Sequence, residues 1–183
     1  MSATQTAPTT TVKTGEVRLS FAHIWKPTAA RGSDKLKYSV SLLIKKSDKA
    51  TVKVVQAAIE NAKAVYVSKF GALPKNWDNP LHDGDEEKSD DENYADCWYL
   101  NAKSDQKPGI VHLENGKVVP LEDESELVSG DYAKVQINFF PYNNVNKGIG
   151  VGLNNIFKTR QDVALSGRQA ATAAFADEQE DDI

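Results

Sequence analysis

The stretch DYAKVQINFFPY, residues 131–142, decides how this chain is read. Ala133, Val135, Ile137 and Phe139 alternate with Lys134, Gln136, Asn138, Phe140 and Tyr142. A period of two over this length is a strand with one face in a core and one in solvent. The apolar set belongs to the core. The other set carries a cation and two aromatic rings, and its chemistry is the more informative.

The same period recurs on both sides. Downstream, the loop Asn143-Asn144-Val145-Asn146-Lys147-Gly148 leads to a strand from Ile149 to Phe157. Its Gly150 and Gly152 fit a barrel bend or a close backbone approach. Upstream, Glu16 to Trp25 places Val17, Leu19, Phe21 and Trp25 on one face with His23 among them, so Phe21 and His23 are expected inside. A loop from Lys26 to Lys35 leads to Leu36–Lys45, where Tyr38, Val40, Leu42 and Ile44 oppose Lys37, Ser39 and Ser41. From Tyr94 to Lys103, Trp98, Leu100 and Ala102 oppose Tyr99, Asn101 and Lys103. Asn115-Gly116 joins Ile110–Leu113 to Lys117–Leu121 as a two-residue hairpin turn. One helix interrupts the strands. Ser47 or Asp48 caps it, Val52, Val55, Ile59, Ala62 and Tyr66 share one face, and Gly71 stops it.

At least five strands, one substantial helix over about 48–70 and two long polar loops predict a mainly β protein. The expected architecture is an OB-fold-like small Greek-key barrel. The composition predicts a disordered arm over residues 1–14, the barrel domain over 15–165, and a flexible linker with an acidic tail over 166–183. No N-terminal segment reads as a signal peptide, and no apolar run is long enough for a membrane helix. Cys97 is the single cysteine, so no internal disulfide forms.

The net charge of −4 hides a segregation. The last seven residues contribute −5, and Asp83 to Glu92 contributes −6, leaving the remainder at about +7. Residues 13–46 alone hold eight Lys and Arg against Glu16 and Asp34. A basic body with acidic appendages points to a polyanion site. The plain alternatives are a mixed solvated surface and a tail that serves solubility.

Single-stranded nucleic acid needs rings for base stacking interleaved with cations for phosphates, all on a solvent-facing surface. The outer positions supply Lys37, Tyr99, Lys103, Lys134, Phe140 and Tyr142, and the loops add Lys26, Arg31, Lys35 and Lys147. Catalytic signatures are missing: the chain has no Gly-rich phosphate loop, nucleophile elbow or His-Glu-x-x-His pattern, and no cofactor is expected. His82, Asp83 and Asp85 invite a metal reading, but Lys88 and Tyr94 stand where a calcium loop needs Gly and Glu.

Three stretches, Gly15–Asp48, Pro80–Asp85 and Asp131–Phe157, together resemble phage-type single-stranded DNA-binding proteins. The group they resemble has long been catalogued as a domain of unknown function in phage replication modules. The resemblance implies an OB-fold that coats single-stranded DNA without sequence preference during replication, recombination and repair in the host cytoplasm. It also implies an acidic C-terminus that recruits replication proteins such as a polymerase or helicase and competes with DNA for the basic groove. Here that segment is Phe175, Asp177, Glu178, Glu180, Asp181, Asp182 and Ile183. Two other readings stand beside it: a protein–protein adaptor of the replisome or virion, and a metal-dependent nuclease using His82, Asp83 and Asp85.

Overall fold

Five of the alternating segments close into a ring. The computed structural model describes residues 9–29 and 32–162. In chain order its elements are β1 (Thr11–Lys13), β2 (Val17–Ala29), β3 (Leu36–Lys45), α1 (Lys49–Phe70), β4 (His82–Asp83), α2 (Gly84–Glu87), β5 (Cys97–Ser104), β6 (Gly109–Glu114), β7 (Lys117–Pro120), β8 (Tyr132–Asn143) and β9 (Lys147–Arg160). Antiparallel pairing runs β2 to β3 to β5, and β9 to β8 to β2. The parallel contact of β5 with β9, Lys103 opposite Gly152, completes the circuit. A meander of three strands and a hairpin of two, joined in this order, is the five-stranded Greek-key barrel of the OB type. The β6–β7 hairpin extends β9, and Asn115 and Gly116 both take positive φ as its two-residue turn demands.

The core lies inside the ring. Val17, Leu19, Val40, Leu42, Ile44, Leu100, Ala102, Val135, Ile137 and Phe139 are buried together, as the period of two requires. Helix α1 covers β8 and β1 with Val55, Ala58, Ile59, Ala62 and Tyr66. The Asp48 carboxylate accepts the Thr51 amide at 3.2 Å, and Gly71 ends the helix at φ 89°. The helix therefore keeps the caps expected of it.

The structure corrects the sequence reading at three places. The N-terminal arm is not wholly disordered. β1 pairs with β8, Val12 enters the core, and the Thr14 hydroxyl accepts the Val135 amide at 3.0 Å. A three-residue strand flanked by Thr and Pro carries too little periodicity to be seen in advance. β2 also outlasts its expected end, so Lys26 is a strand residue and not a loop residue.

The second correction is in β2 itself. Its register with β3 slips between Ser20 and His23, so one extra residue sits on β2. At this bulge Phe21 takes φ 47°, a region costly for a bulky side chain by about 1–3 kcal/mol. Phe21 is 60% exposed, His23 is exposed, and Ile24 takes the core place.

The third is the acidic run. It is not a free solvated loop. Asp83 and Asp85 both accept from Lys46 Nζ, at 2.8 and 2.7 Å, and Asp85 also accepts the Asp96 amide at 2.9 Å. Lys46 holds its proton well beyond the ordinary lysine range because of Asp83 first and Asp85 second. Beneath this clasp Tyr94, Leu43, Cys97 and Tyr99 form a second small core on the outside of the barrel. The Tyr94 hydroxyl donates to the Ser20 hydroxyl at 3.0 Å. Tyr94→Ala should lower the urea midpoint by the equivalent of about 3 kcal/mol with an unchanged slope. Equilibrium unfolding followed by tryptophan fluorescence measures it.

Candidate nucleic-acid interface

Every inward residue of β3, β5, β8 and β9 forces a neighbour onto the outer face. On that face a groove of about 990 Å³ crosses the barrel. Its floor holds Asn101 and Lys103 from β5, Lys37 from β3 and Phe140 from β8. One wall is the segment Trp77–His82, and the other end is the β8–β9 turn at Asn144–Asn146. A smaller cavity of about 180 Å³ shares Lys37 and Lys103 with the groove and adds Thr28, Ser33, Lys35 and Ser39. OB-folds present oligonucleotide sites on the second and third barrel strands and the loops flanking them, which here are β3, β5 and these turns.

Two glycines make room for the floor. Phe140 stands opposite Gly150, and a Cβ there would come within 2.5 Å of the Phe140 ring. Gly152 stands opposite Asn138, whose amide oxygen would collide with any Cβ. The ring thus lies flat over a bare backbone, 43% exposed. The close backbone approach expected of these glycines is met.

The wall is pinned to the barrel. Asp78 bridges to Gly148, with its amide donating to the Lys147 carbonyl at 2.9 Å and its own carbonyl accepting from Ile149 at 3.2 Å. The Tyr142 hydroxyl donates to the Asp78 carboxylate at 2.6 Å. Burial, with Asp78 added, pushes the Tyr142 phenol far above its ordinary range, so it remains a neutral donor. Lys63 Nζ stands 5.1 Å from the Trp77 ring. His82 stacks on Tyr99 at 4.9 Å and its Nδ1 lies 2.9 Å from Glu87.

Of the predicted nucleic-acid residues, Lys37, Lys103, Phe140 and Tyr142 meet in the groove, and Lys35 joins them through the smaller cavity. Lys35 and Lys37 face Asp105 at 3.7 and 3.5 Å, across solvent-exposed pairs that hold weakly. Lys147 is exposed at the start of β9, and Lys26 is exposed on β2; neither lines the groove. Lys134 lies towards the other end of β8, where it helps Arg160 hold Glu16 below the usual carboxylate range. Tyr99 is a correction: it is 6% exposed, closed over by His82 and Tyr94, and offers no ring to solvent. Arg31 and the tail residues Phe175 to Ile183 lie outside the described residues.

Trp77, Asn101, Asn144 and Asn146 also line the groove but were not singled out from the sequence. Asn101 was legible as an outer residue of β5; the others sit on irregular segments without a period. Of the residues of the nuclease reading, Asp83 and Asp85 pair with Lys46, and His82 with Glu87. Among the described residues no group of three His, Cys, Asp or Glu side chains is placed to hold a metal. No helix among them is long and apolar enough to cross a membrane.

Comparison with known proteins places this geometry. The family described by the single-stranded DNA-binding protein of Enterobacter phage Enc34 matches residues 10–183. Protein p50 of Acyrthosiphon pisum secondary endosymbiont phage 1 is 28% identical over 177 residues, covering 91% of this chain and 92% of that protein. Among solved structures, the bacteriophage Enc34 single-stranded DNA-binding protein in complex with single-stranded DNA is similar with a TM-score of 0.76 at 22% identity, over 90% of this chain and 97% of that one. The single-stranded DNA-binding protein gp2.5 of bacteriophage T7 is similar with a TM-score of 0.59 at 17% identity, over 96% and 97%.

The Tyr142–Asp78 bond is the link between wall and floor that a single substitution removes. Tyr142→Phe should speed hydrogen exchange of the Asp78 and Ile149 amides about tenfold. Native-state exchange followed by NMR reads those two amides directly.

Proposed function

This chain belongs to the family of the Enterobacter phage Enc34 single-stranded DNA-binding protein, and from that premise we propose that it binds single-stranded DNA without sequence preference. The observation that carries the reading is the meeting of Lys37 and Lys103 with Phe140 and Trp77 in one open groove. Phosphates are tracked by Lys37 and Lys103, with Lys35 and Lys147 at the flanks. Bases stack on Phe140 and against the Trp77–Tyr142 side, each stack contributing about 1–3 kcal/mol. Phosphate contacts carry no sequence information and a ring accepts any base, so these cations and rings set no sequence preference. Asp105 gives up Lys35 and Lys37 readily because both pairs are exposed.

The protein's work in this reading is to coat single strands in phage replication, recombination and repair within the host cytoplasm. The charge segregation supports a second role for the tail. Asp177 to Ile183 carries −5 while the rest of the chain carries +1. A segment of that charge competes with DNA for the lysines, and when displaced it is free to recruit a polymerase or helicase. A protein adaptor using the same basic face would bind an acidic partner and ignore oligonucleotides.

Fluorescence anisotropy separates these readings. Oligo-dT should bind far more tightly than duplex, with log K falling against log salt at a slope of about −2 to −3 for three or four phosphates. Lys37→Ala with Lys103→Ala should flatten that slope by about one unit or more. Equal affinity for duplex, or no salt slope, contradicts the reading. Removing residues 177–183 should tighten oligo-dT binding, most at low salt where charges are least screened. Unchanged affinity returns the tail to a solubility role.

A further inference from the structure

Phe21 stands where the alternation of β2 would bury it, yet 60% of it is exposed. The bulge that turns it out leaves its backbone at φ 47°, and Ile24 fills the core in its stead. Strain of this kind persists only where the surroundings over-determine it, and it gathers at ligand clamps. Bulges likewise re-aim side chains beside functional sites.

The surroundings here are specific. The bulge leaves the Ala22 amide without a ladder partner, and the Ser129 hydroxyl accepts it at 2.9 Å. On the other side of Phe21, Gly130 donates to the Leu19 carbonyl at 2.7 Å. The Trp25 indole donates to the Leu127 carbonyl at 2.9 Å. Residues 127–130 are therefore stapled to β2 on both sides of the ring, and the exposed conformation is held rather than merely tolerated.

The register shows where the ring stands. Ser20 lies opposite Ser41, and Ser41 opposite Asn101. Asn101 and Gly150 share the groove floor, and Gly150 lies opposite Phe140. One row thus runs from Phe140 on β8 to Ser20 on β2, and the exposed Phe21 ring follows Ser20 in the bulge. Between the rings lie Ser20 and Ser41, both buried, then Asn101, which accepts from the Ser41 hydroxyl at 2.6 Å, and a bare glycine. Tyr94 covers the Ser20 end, its hydroxyl donating to Ser20 at 3.0 Å, and the open side of the row is the one flanked by Lys103 and Ser39, with His23 opposite Ser39. Four strand spacings make the row about 19 Å long, the reach of a few nucleotides.

We propose that Phe21 is a second base-stacking platform, and that single-stranded DNA crosses the sheet from Phe140 to Phe21 along the Lys103 side of this row. The inference rests on the reading of the groove given above and extends it to β2.

Dissociation constants for dT oligonucleotides of increasing length test it, measured for the wild type, Phe21→Ala and Phe21→Trp. Phe21→Ala should match the wild type on the shortest oligonucleotides that bind and weaken binding about tenfold once they span the row. Phe21→Trp should restore it, and abasic residues in place of the bases should remove the difference. Equal constants for Phe21→Ala and the wild type at every length would overturn the inference while leaving the groove intact. So would a loss that the tryptophan variant fails to restore or that persists on abasic strands. If the alanine variant does not fold, Phe21→Gly removes the ring and relieves the backbone, and carries the same comparison. A wild type that binds no oligo-dT overturns the reading of the groove itself.

Discussion

The single parallel contact between β5 and β9 is the constraint on which the rest depends. It joins the β2–β3–β5 meander to the β8–β9 hairpin and turns an open sheet into a closed barrel. Closure fixes which residues are inside, because every second side chain must fill a small interior. The remaining half of each strand is then placed on the outer face without any choice of its own. Lys37, Asn101, Lys103 and Phe140 come from three strands far apart in sequence, and closure alone makes them neighbours. The two glycines of β9 belong to the same constraint: they let Asn138 and Phe140 lie against the backbone at the seam.

The first acidic segment is not left to solvent. Asp83 to Glu92 is drawn onto the barrel by Lys46 and sealed by Tyr94, so its charge is partly spent on structure. Of this run only Glu87 reaches the groove, beside the Trp77–His82 wall. The C-terminal acids lie outside the described residues.

Much of this was legible in the sequence. The period of two placed the inner and outer residues of β3, β5 and β8, and the helix showed its caps at Asp48 and Gly71. What failed did so for local physical reasons. A bulge is a one-residue slip, and a slip reverses every later face, so Phe21 and His23 were assigned inward and Ile24 was passed over. β1 is too short to show a period and is stabilised by its partner β8. Tyr99 was read correctly as an outer residue, but its cover comes from Tyr94 and His82, on a segment whose charges suggested solvent. Trp77 and Asp78 reach the groove through one bridge to Gly148, a contact with no sequence signature.

The central claim is that the outer face of β3, β5, β9 and β8 is where DNA lies. A structure of the full chain with bound oligo-dT tests it most directly. The account predicts bases over the Phe140 ring, phosphates at Lys37 and Lys103, and the Trp77–His82 wall along one edge of the strand. Density for the oligonucleotide at the opposite end of the barrel, around the Arg160–Tyr132 stack, with the groove left to solvent, would contradict it.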